Sequence, residues 1–335
     1  MSDVPIDTSA STDAISTDTG EEPPADADDG EDGGDGGDAI DPVPDAAIHD
    51  SAPAVRVRGL TKRFGDDPPV LADFDLTLNA GETTVLMGPN GTGKTVLLAC
   101  LTGGLRPTAG TVEVFGHSPE AVRSDLVFAL QDGFAVDDLS GRENAEFYTA
   151  LHPAATDRWE TVADRLRLDG LDRRVADYSG GMVRKLELAL TLSVDVPLYV
   201  LDEPTAELDP TAVERFHAML DDLADAGRTV VMSSHSPRDL RAANRLVVVA
   251  DSGVVADGHP DDLREAVPPV VVLDRADTDL GGHLRGPRLF DTDTGFRGFL
   301  SAEADPSVVD TRPEVVRVER PTPPDVFNYY VHLRG

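Results

Sequence analysis

An α/β fold with a mainly parallel sheet at its centre is predicted by three observations on this 335-residue chain. Several of its short apolar runs, among them TTVLMG, LYVLDE and TVVMSSH, are continuous rather than alternating, as in strands covered on both faces. Stretches with helical spacing separate the later runs, and strand, helix, strand alternation implies parallel crossovers. The glycine-rich segment GPNGTGKT, residues 88–95, stands between a strand candidate at 84–87 and a helix that begins at Lys94.

Taken in order, residues 1–52 are Asp, Gly, Ala, Ser, Thr and Pro with almost no large apolar side chain, and EDGGDGGD at 31–38 has nothing to bury. A disordered acidic tail is expected there. The runs VRVRGL and VLADFDLTL open the main α/β domain, expected over residues 53–260. Its first helix is predicted over 94–105, stopped by Gly103, Gly104 and Pro107, and a later one over 210–226, stopped by Gly227. Between Gln131 and Tyr178 the alternation ceases, and NAEFYTALH with RWETVADRLRL reads as amphipathic helices, a helical insertion at about 132–178. RLVVVADSGVV is a further strand run. Residues 261–335 are expected to form a small α+β accessory domain, with strand candidates VVVL at 270–273 and VVRVE at 315–319 and the end-piece TPPDVFNYYVHL.

The net charge is −33, from 62 acids against 29 bases, of which Lys62, Lys94 and Lys185 alone are lysine. Such a surface repels nucleic acid and anionic lipid heads, so no nucleic-acid partner is expected. Residues 1–50 hold 16 acids and no Lys or Arg, which leaves the folded part acidic as well. Asp-rich, Lys-poor composition resembles that of proteins from salt-loving archaea, where strong screening makes self-repulsion tolerable. The single cysteine, Cys100, sits among Val96, Leu97, Leu98 and Leu101 and reads as a core residue in a reducing compartment. The first residues are acidic where a signal peptide needs base, and no apolar run approaches the roughly 20 residues of a spanning helix, so the chain is not expected to cross a membrane by itself.

The chemistry lies in two places. In Gly88, Pro89, Asn90, Gly91, Thr92, Gly93, Lys94 and Thr95, the glycines let successive backbone N–H groups curl around phosphate oxygens, and the helix start adds partial positive charge. Lys94 would place a cation on the β- and γ-phosphates of ATP, and Thr95 would offer a hydroxyl to Mg2+. At the carboxyl end of LYVL stand Asp202 and Glu203, where ligands of open parallel sheets bind. Asp202 can hold the Mg2+ shell, and Glu203 can polarise the water that attacks the γ-phosphate.

With SGGM at 179–182, ELDP at 207–210, Gln131 and His235 added, residues 55–258 resemble the nucleotide-binding subunit of ATP-binding cassette (ABC) transporters, a P-loop NTPase fold that carries an antiparallel β-subdomain besides the parallel core. The resemblance implies that Phe64 stacks on adenine and that Gln131 reaches Mg2+ and links the core to the helical insertion. Ser179, Gly180 and Gly181 would open a helix facing the γ-phosphate held by an opposite protomer. Asp209 would touch the partner's cradle, and His235 would contact the γ-phosphate. It also implies a composite site made by two chains, either a homodimer or a pair with a related ATPase subunit, and a separate transmembrane permease that keeps the protein peripheral on the inner face of the cell membrane.

Two positions depart from the family pattern: Tyr178 replaces the usual leucine before SGG, and Glu207 stands where glycine is commonest. RENAEFYTALH, YSGGMVRKLELALTL and TPPDVFNYYVHL resemble the drug, antibiotic and sodium exporter branch, which implies transport outward. The alternatives are a soluble ABC ATPase with a non-transport role and a regulatory cassette that only binds ATP. The first lacks the coiled coils, zinc cysteines or paired cassettes such proteins carry, and Glu203 and His235 argue against the second.

Overall fold

The computed structural model describes residues 53–251, 253–276, 280 and 282–333. The expected acidic tail lies outside the described residues. The chain opens with β1 (Pro53–Lys62), β2 (Leu71–Asn79), β3 (Thr83–Met87), α1 (Lys94–Leu101), β4 (Ala109–Val114) and β5 (Leu126–Ala129). Helices α2 (Gly141–Leu151), α3 (Trp159–Arg165) and α4 (Gly180–Leu192) precede β6 (Leu198–Leu201), α5 (Pro210–Asp225), β7 (Thr229–Ser234), β8 (Arg245–Ala250) and β9 (Gly253–Gly258). The rest comprises α6 (Pro260–Glu265), β10 (Val270–Leu273), β11 (Phe290–Thr292), β12 (Gly295–Phe299), α7 (Pro306–Val309), β13 (Val315–Glu319) and α8 (Pro323–His332).

The central sheet has the order β5-β6-β7-β3-β8-β9 and is parallel except at its β8–β9 edge. Its inner strands β6, β7 and β3 are buried along their whole length because alternate residues enter different cores. Val85, Leu201, Val230 and Met232 pack with Leu186, Leu190 and Phe216 on the helical side. Leu86, Val200, Val231 and Val247 pack with Leu97, Leu98 and the antiparallel sheet β2-β1-β4 on the other. A strand with one wet face would have alternated.

Two sequence expectations needed correction. The first helix ends at Leu101 rather than Leu105, because Thr102 turns its hydroxyl back onto the Leu98 carbonyl oxygen (3.2 Å) and Gly103 takes a left-handed φ of 71°. RLVVVADSGVV is not one strand but the hairpin β8–β9, reversed at Asp251 (φ 48°). The helices begin where capping predicts: Ser140 and Glu143 form a capping box on α2, and Ser179 and Asp209 cap α4 and α5.

Beyond β9 an antiparallel sheet, β11-β12-β10-β13, has a small core of its own around Val271, Leu273 and Leu300. The terminal helix behaves differently: Val326, Tyr329 and Tyr330 of α8 join Met87, Leu246 and Val248 of the central sheet. Arg297 of β12 grips Asp325 of α8 bidentately (2.8 and 2.7 Å) in a nearly dry setting and reaches Glu319 (2.7 Å). Met87 directly precedes Gly88, so α8 packs behind the strand that ends in the phosphate cradle.

Candidate functional site

The cradle forms where β3 hands over to α1. Gly91 and Gly93 adopt φ of 84° and 90°, a region that strains side-chain-bearing residues, and a Cβ on Gly88 would lie 2.2 Å from the Val249 carbonyl oxygen. Lys94 is 6% exposed and its Nζ donates to the carbonyl oxygens of Gly88 (2.8 Å) and Pro89 (3.1 Å). Burial pulls its pKa down, while the neighbouring Glu203 and Asp202 carboxylates push it up. The Thr92 hydroxyl closes the turn onto the Pro89 carbonyl oxygen (2.9 Å). A cavity of about 350 Å³ opens here, lined among others by Asn90, Gly91, Gly93, Lys94, Thr95, Gln131 and Glu203.

Asp202 directly follows β6 and is 1% exposed. Its Oδ1 accepts from Ser233 Oγ (2.5 Å), whereas Oδ2 is buried without a hydrogen-bond partner. Asp202 lies close enough to Lys94 to raise its pKa, and its orphaned oxygen, with the exposed Thr95 hydroxyl and the Gln131 amide that line the cavity, has the oxygen chemistry that suits a small hard cation. Among the described residues no group of three His, Cys, Asp or Glu is placed to hold a metal ion.

Glu203 follows with a φ of 47°, a conformation costing on the order of 1 kcal/mol that is held by its N–H donating to Ser233 Oγ (2.9 Å). Its Oε2 meets His235 Nδ1 at 3.2 Å and accepts from Gln131 Nε2 at 3.4 Å. Gln131 and His235, 72 and 32 positions away in the sequence, thus converge on the Glu203 carboxylate.

Ser179, Gly180, Gly181 and Asp209 do not line this cavity. They form a second group, in which Ser179 Oγ accepts from Met182 N (3.3 Å) and Asp209 pairs with Lys185 (3.3 Å). The Asp209 carboxyl is held below its ordinary range, chiefly by the Ala212 N–H it caps. Glu207, at a φ of 65°, lies over both glycines: a Cβ on Gly180 would meet its Oε2 at 2.0 Å, and one on Gly181 its carbonyl oxygen at 2.9 Å. Phe64 is 45% exposed beneath Lys62 Nζ (5.1 Å from the ring centre) and stands outside the cavity lining.

Sequence reasoning missed the residues that hold the strand ends. Asp239 is fully buried, accepts from Thr205 Oγ1 (2.8 Å) and Ser234 Oγ (2.5 Å), and pairs with His217 Nε2 (2.8 Å). It therefore fixes the chain two residues after Glu203 and one before His235. The Ser-Ser pair before His235 was the available clue, but nothing in sequence indicates which acids those hydroxyls reach.

Residues 71–206 match the model of the family described as ABC transporter. The chain is 36% identical over 221 residues to the daunorubicin resistance ATP-binding protein DrrA3 of Streptomyces coeruleorubidus, covering 63% of this chain and 70% of that protein. It is 30% identical over 269 residues to the daunorubicin/doxorubicin resistance ATP-binding protein DrrA of Streptomyces peucetius, covering 77% and 80%. Its fold matches the dimeric post-hydrolysis structure of the ATP-binding cassette MJ0796 bound to ADP and Pi, with a TM-score of 0.56 at 24% identity over 61% of this chain and 98% of that one.

Proposed function

The chain belongs to the ABC transporters, as an ATP-binding subunit that hydrolyses ATP to power transport, and on that premise we propose that it drives an exporter as one half of an ATP-closed dimer beneath a separate permease. The observation that carries this reading is the separation of the two groups: Gln131, Glu203 and His235 meet at the cradle, while Ser179–Gly181 stands off it. A second chain, whether identical or a related ATPase subunit, would bring its own signature turn to the γ-phosphate.

In that site Lys94 and the cradle amides bind the triphosphate, Phe64 stacks on adenine, and Asp209 contacts the partner's cradle. Thr95, Gln131 and Asp202 would hold Mg2+, which when bound neutralises charge on the phosphates. Glu203 takes the proton of the attacking water at its carboxylate, and His235, within reach of the same oxygen, orients that water toward the γ-phosphate.

The permease is assigned to the outer edge of the helical side. There a groove of about 300 Å³ is lined by Val127, Phe128, Leu130, Phe134, Tyr148 and Leu151, with Leu130 and Leu151 exposed despite their apolar side chains. Among the described residues no helix is long and apolar enough to cross a membrane, so the spanning part is assigned to that partner, with this subunit peripheral on the inner face. Outward transport is supported by the likeness to the daunorubicin resistance proteins.

The test is Glu203→Gln. With Mg2+ and ATP this variant is expected to lose hydrolysis by about a thousandfold and to elute as a stable dimer, since ATP still closes the pair. Undiminished hydrolysis, or no ATP-dependent dimer, sinks the reading. The charge of −33 further supports a salt-rich working environment. The thermal midpoint should climb as KCl is raised into the molar range, and a flat dependence would remove that part.

A further inference from the structure

Helix α4 begins with the signature turn, but one turn further along it reaches into a different part of the molecule. Arg184 donates from Nη1 to the Leu130 carbonyl oxygen (3.0 Å) and from Nη2 to that of Gln131 (2.7 Å). Glu187 Oε1 accepts from the backbone N–H groups of Phe134 (2.7 Å) and Ala135 (3.2 Å), and its Oε2 lies 3.5 Å from Arg184 Nη1. Both side chains are buried, at 7% and 3% exposure. Gly133 (φ 77°) brings the chain so near that a Cβ there would lie 2.3 Å from Glu187 Oε1. Four main-chain groups of the segment after β5 are therefore held by two side chains of one helix.

A buried ion pair contributes little net stability compared with apolar residues of the same volume. What this pair supplies is position. The Gln131 side chain is exposed and its amide makes a long bond (3.4 Å) to Glu203, so its aim is set by its own main chain, and Arg184 holds that carbonyl directly.

We propose that Arg184 and Glu187 are positioning residues for hydrolysis: a clamp from the signature helix that sets the segment 130–135, and with it Gln131, in the chain's own ATP cavity. Through it, the helix that meets the partner's nucleotide also orients the residue that serves this chain's nucleotide. The inference rests on the role given to Gln131 under the proposed function.

The test compares Gln131→Ala, Glu187→Gln and Arg184→Lys in the full chain, singly and with each clamp variant combined with Gln131→Ala. Each single variant should lower kcat by about tenfold, as expected for a group that orients another, and raise the Mg2+ concentration for half-maximal turnover. Each double variant should be no slower than Gln131→Ala. In the nucleotide-free protein, amide exchange over residues 130–135 should accelerate about tenfold in both clamp variants while the interior of α4 keeps its protection. Wild-type kcat in Gln131→Ala would overturn the role of Gln131 itself. Given a slow Gln131→Ala, multiplicative losses in the doubles, or wild-type kcat and exchange in the clamp variants, would overturn the clamp alone. Loss of the folded state in both clamp variants would also overturn it, by making the pair a folding element.

Discussion

The cradle at residues 88–95 and the turn at 179–181 are both helix starts that present backbone N–H groups, yet they are built in opposite ways. The first is enclosed: Lys94 is buried, Gly88 lies against the Val249 carbonyl oxygen, and the acids at the end of β6 are held by Ser233. The second is capped by its own Ser179 and backed by the exposed side chain of Glu207. In the proposed dimer the first start is a site gathered within one chain, and the second is the half that a partner chain's nucleotide would complete. That contrast says which losses a single chain should feel and which only a pair should feel.

The largest expected effect tests this division directly. Lys94→Ala should weaken ATP binding to one chain by about a hundredfold, the loss of charge-assisted hydrogen bonds to phosphate. Gly180→Asp should leave single-chain binding within about twofold, because the new Cβ displaces only the flexible end of Glu207, but it should abolish hydrolysis by setting an anion where the partner's phosphate arrives. Mixing the two inactive proteins should then restore about a quarter of wild-type hydrolysis, since half of random pairs are mixed and each of these keeps one intact site. No recovery on mixing would break the comparison.

An intermediate effect concerns stability. Asp239→Ala strands the hydroxyls of Thr205 and Ser234 and the ring of His217 in a dry setting and should cost about 3 kcal/mol. A melting midpoint lowered by roughly 6–10 °C is the expected reading. Ser179→Ala removes only an exposed cap and should cost about 1 kcal/mol. Equal shifts in the two variants would show that the cradle half is no more internally braced than the signature half.

What sequence made legible follows the same line. The cradle, the strand leading into Asp202 and the strands feeding them were readable because each depends on local order: glycines at fixed spacing, an apolar run, then the acid. Ser179 and Asp209 were legible through the short motifs SGGM and ELDP, but their part as helix caps emerged only in the structure. The Arg184–Glu187 clamp was not readable because its partners are main-chain groups 52 to 54 positions away, which any residue could supply, and the Asp239 network was not readable because two of its three partners, His217 and Thr205, lie 22 and 34 positions away. The β11–β12 hairpin was missed because FDTDTGFRGF is short, glycine-rich and charged, with too few apolar residues to show a period. Residues 323–332 were read as an unassigned end-piece, although their Thr322–Asp325 cap and their packing on Met87 make them a helix of the core.

The smallest effect falls on the residue that distinguishes this chain's signature half. Glu207 holds a left-handed φ of 65° with its carboxylate over the start of α4, so Glu207→Gly removes about 1 kcal/mol of backbone strain and at the same time an acid that favours a helix start by about 0.3–1 kcal/mol. The two nearly cancel, and the melting midpoint should move by no more than about 2 °C. Association should respond where folding does not, because the same carboxylate opposes an incoming triphosphate. In a Glu203→Gln background, where ATP is not consumed, Glu207→Gly should tighten the ATP-dependent dimer severalfold in dilute buffer, and the gain should shrink in molar salt as the repulsion is screened. Sedimentation at the two salt concentrations measures both. A gain of equal size in each would mean that Glu207 acts through the shape of its turn rather than through its charge, and the exposed half of the site would then differ from the cradle in geometry alone.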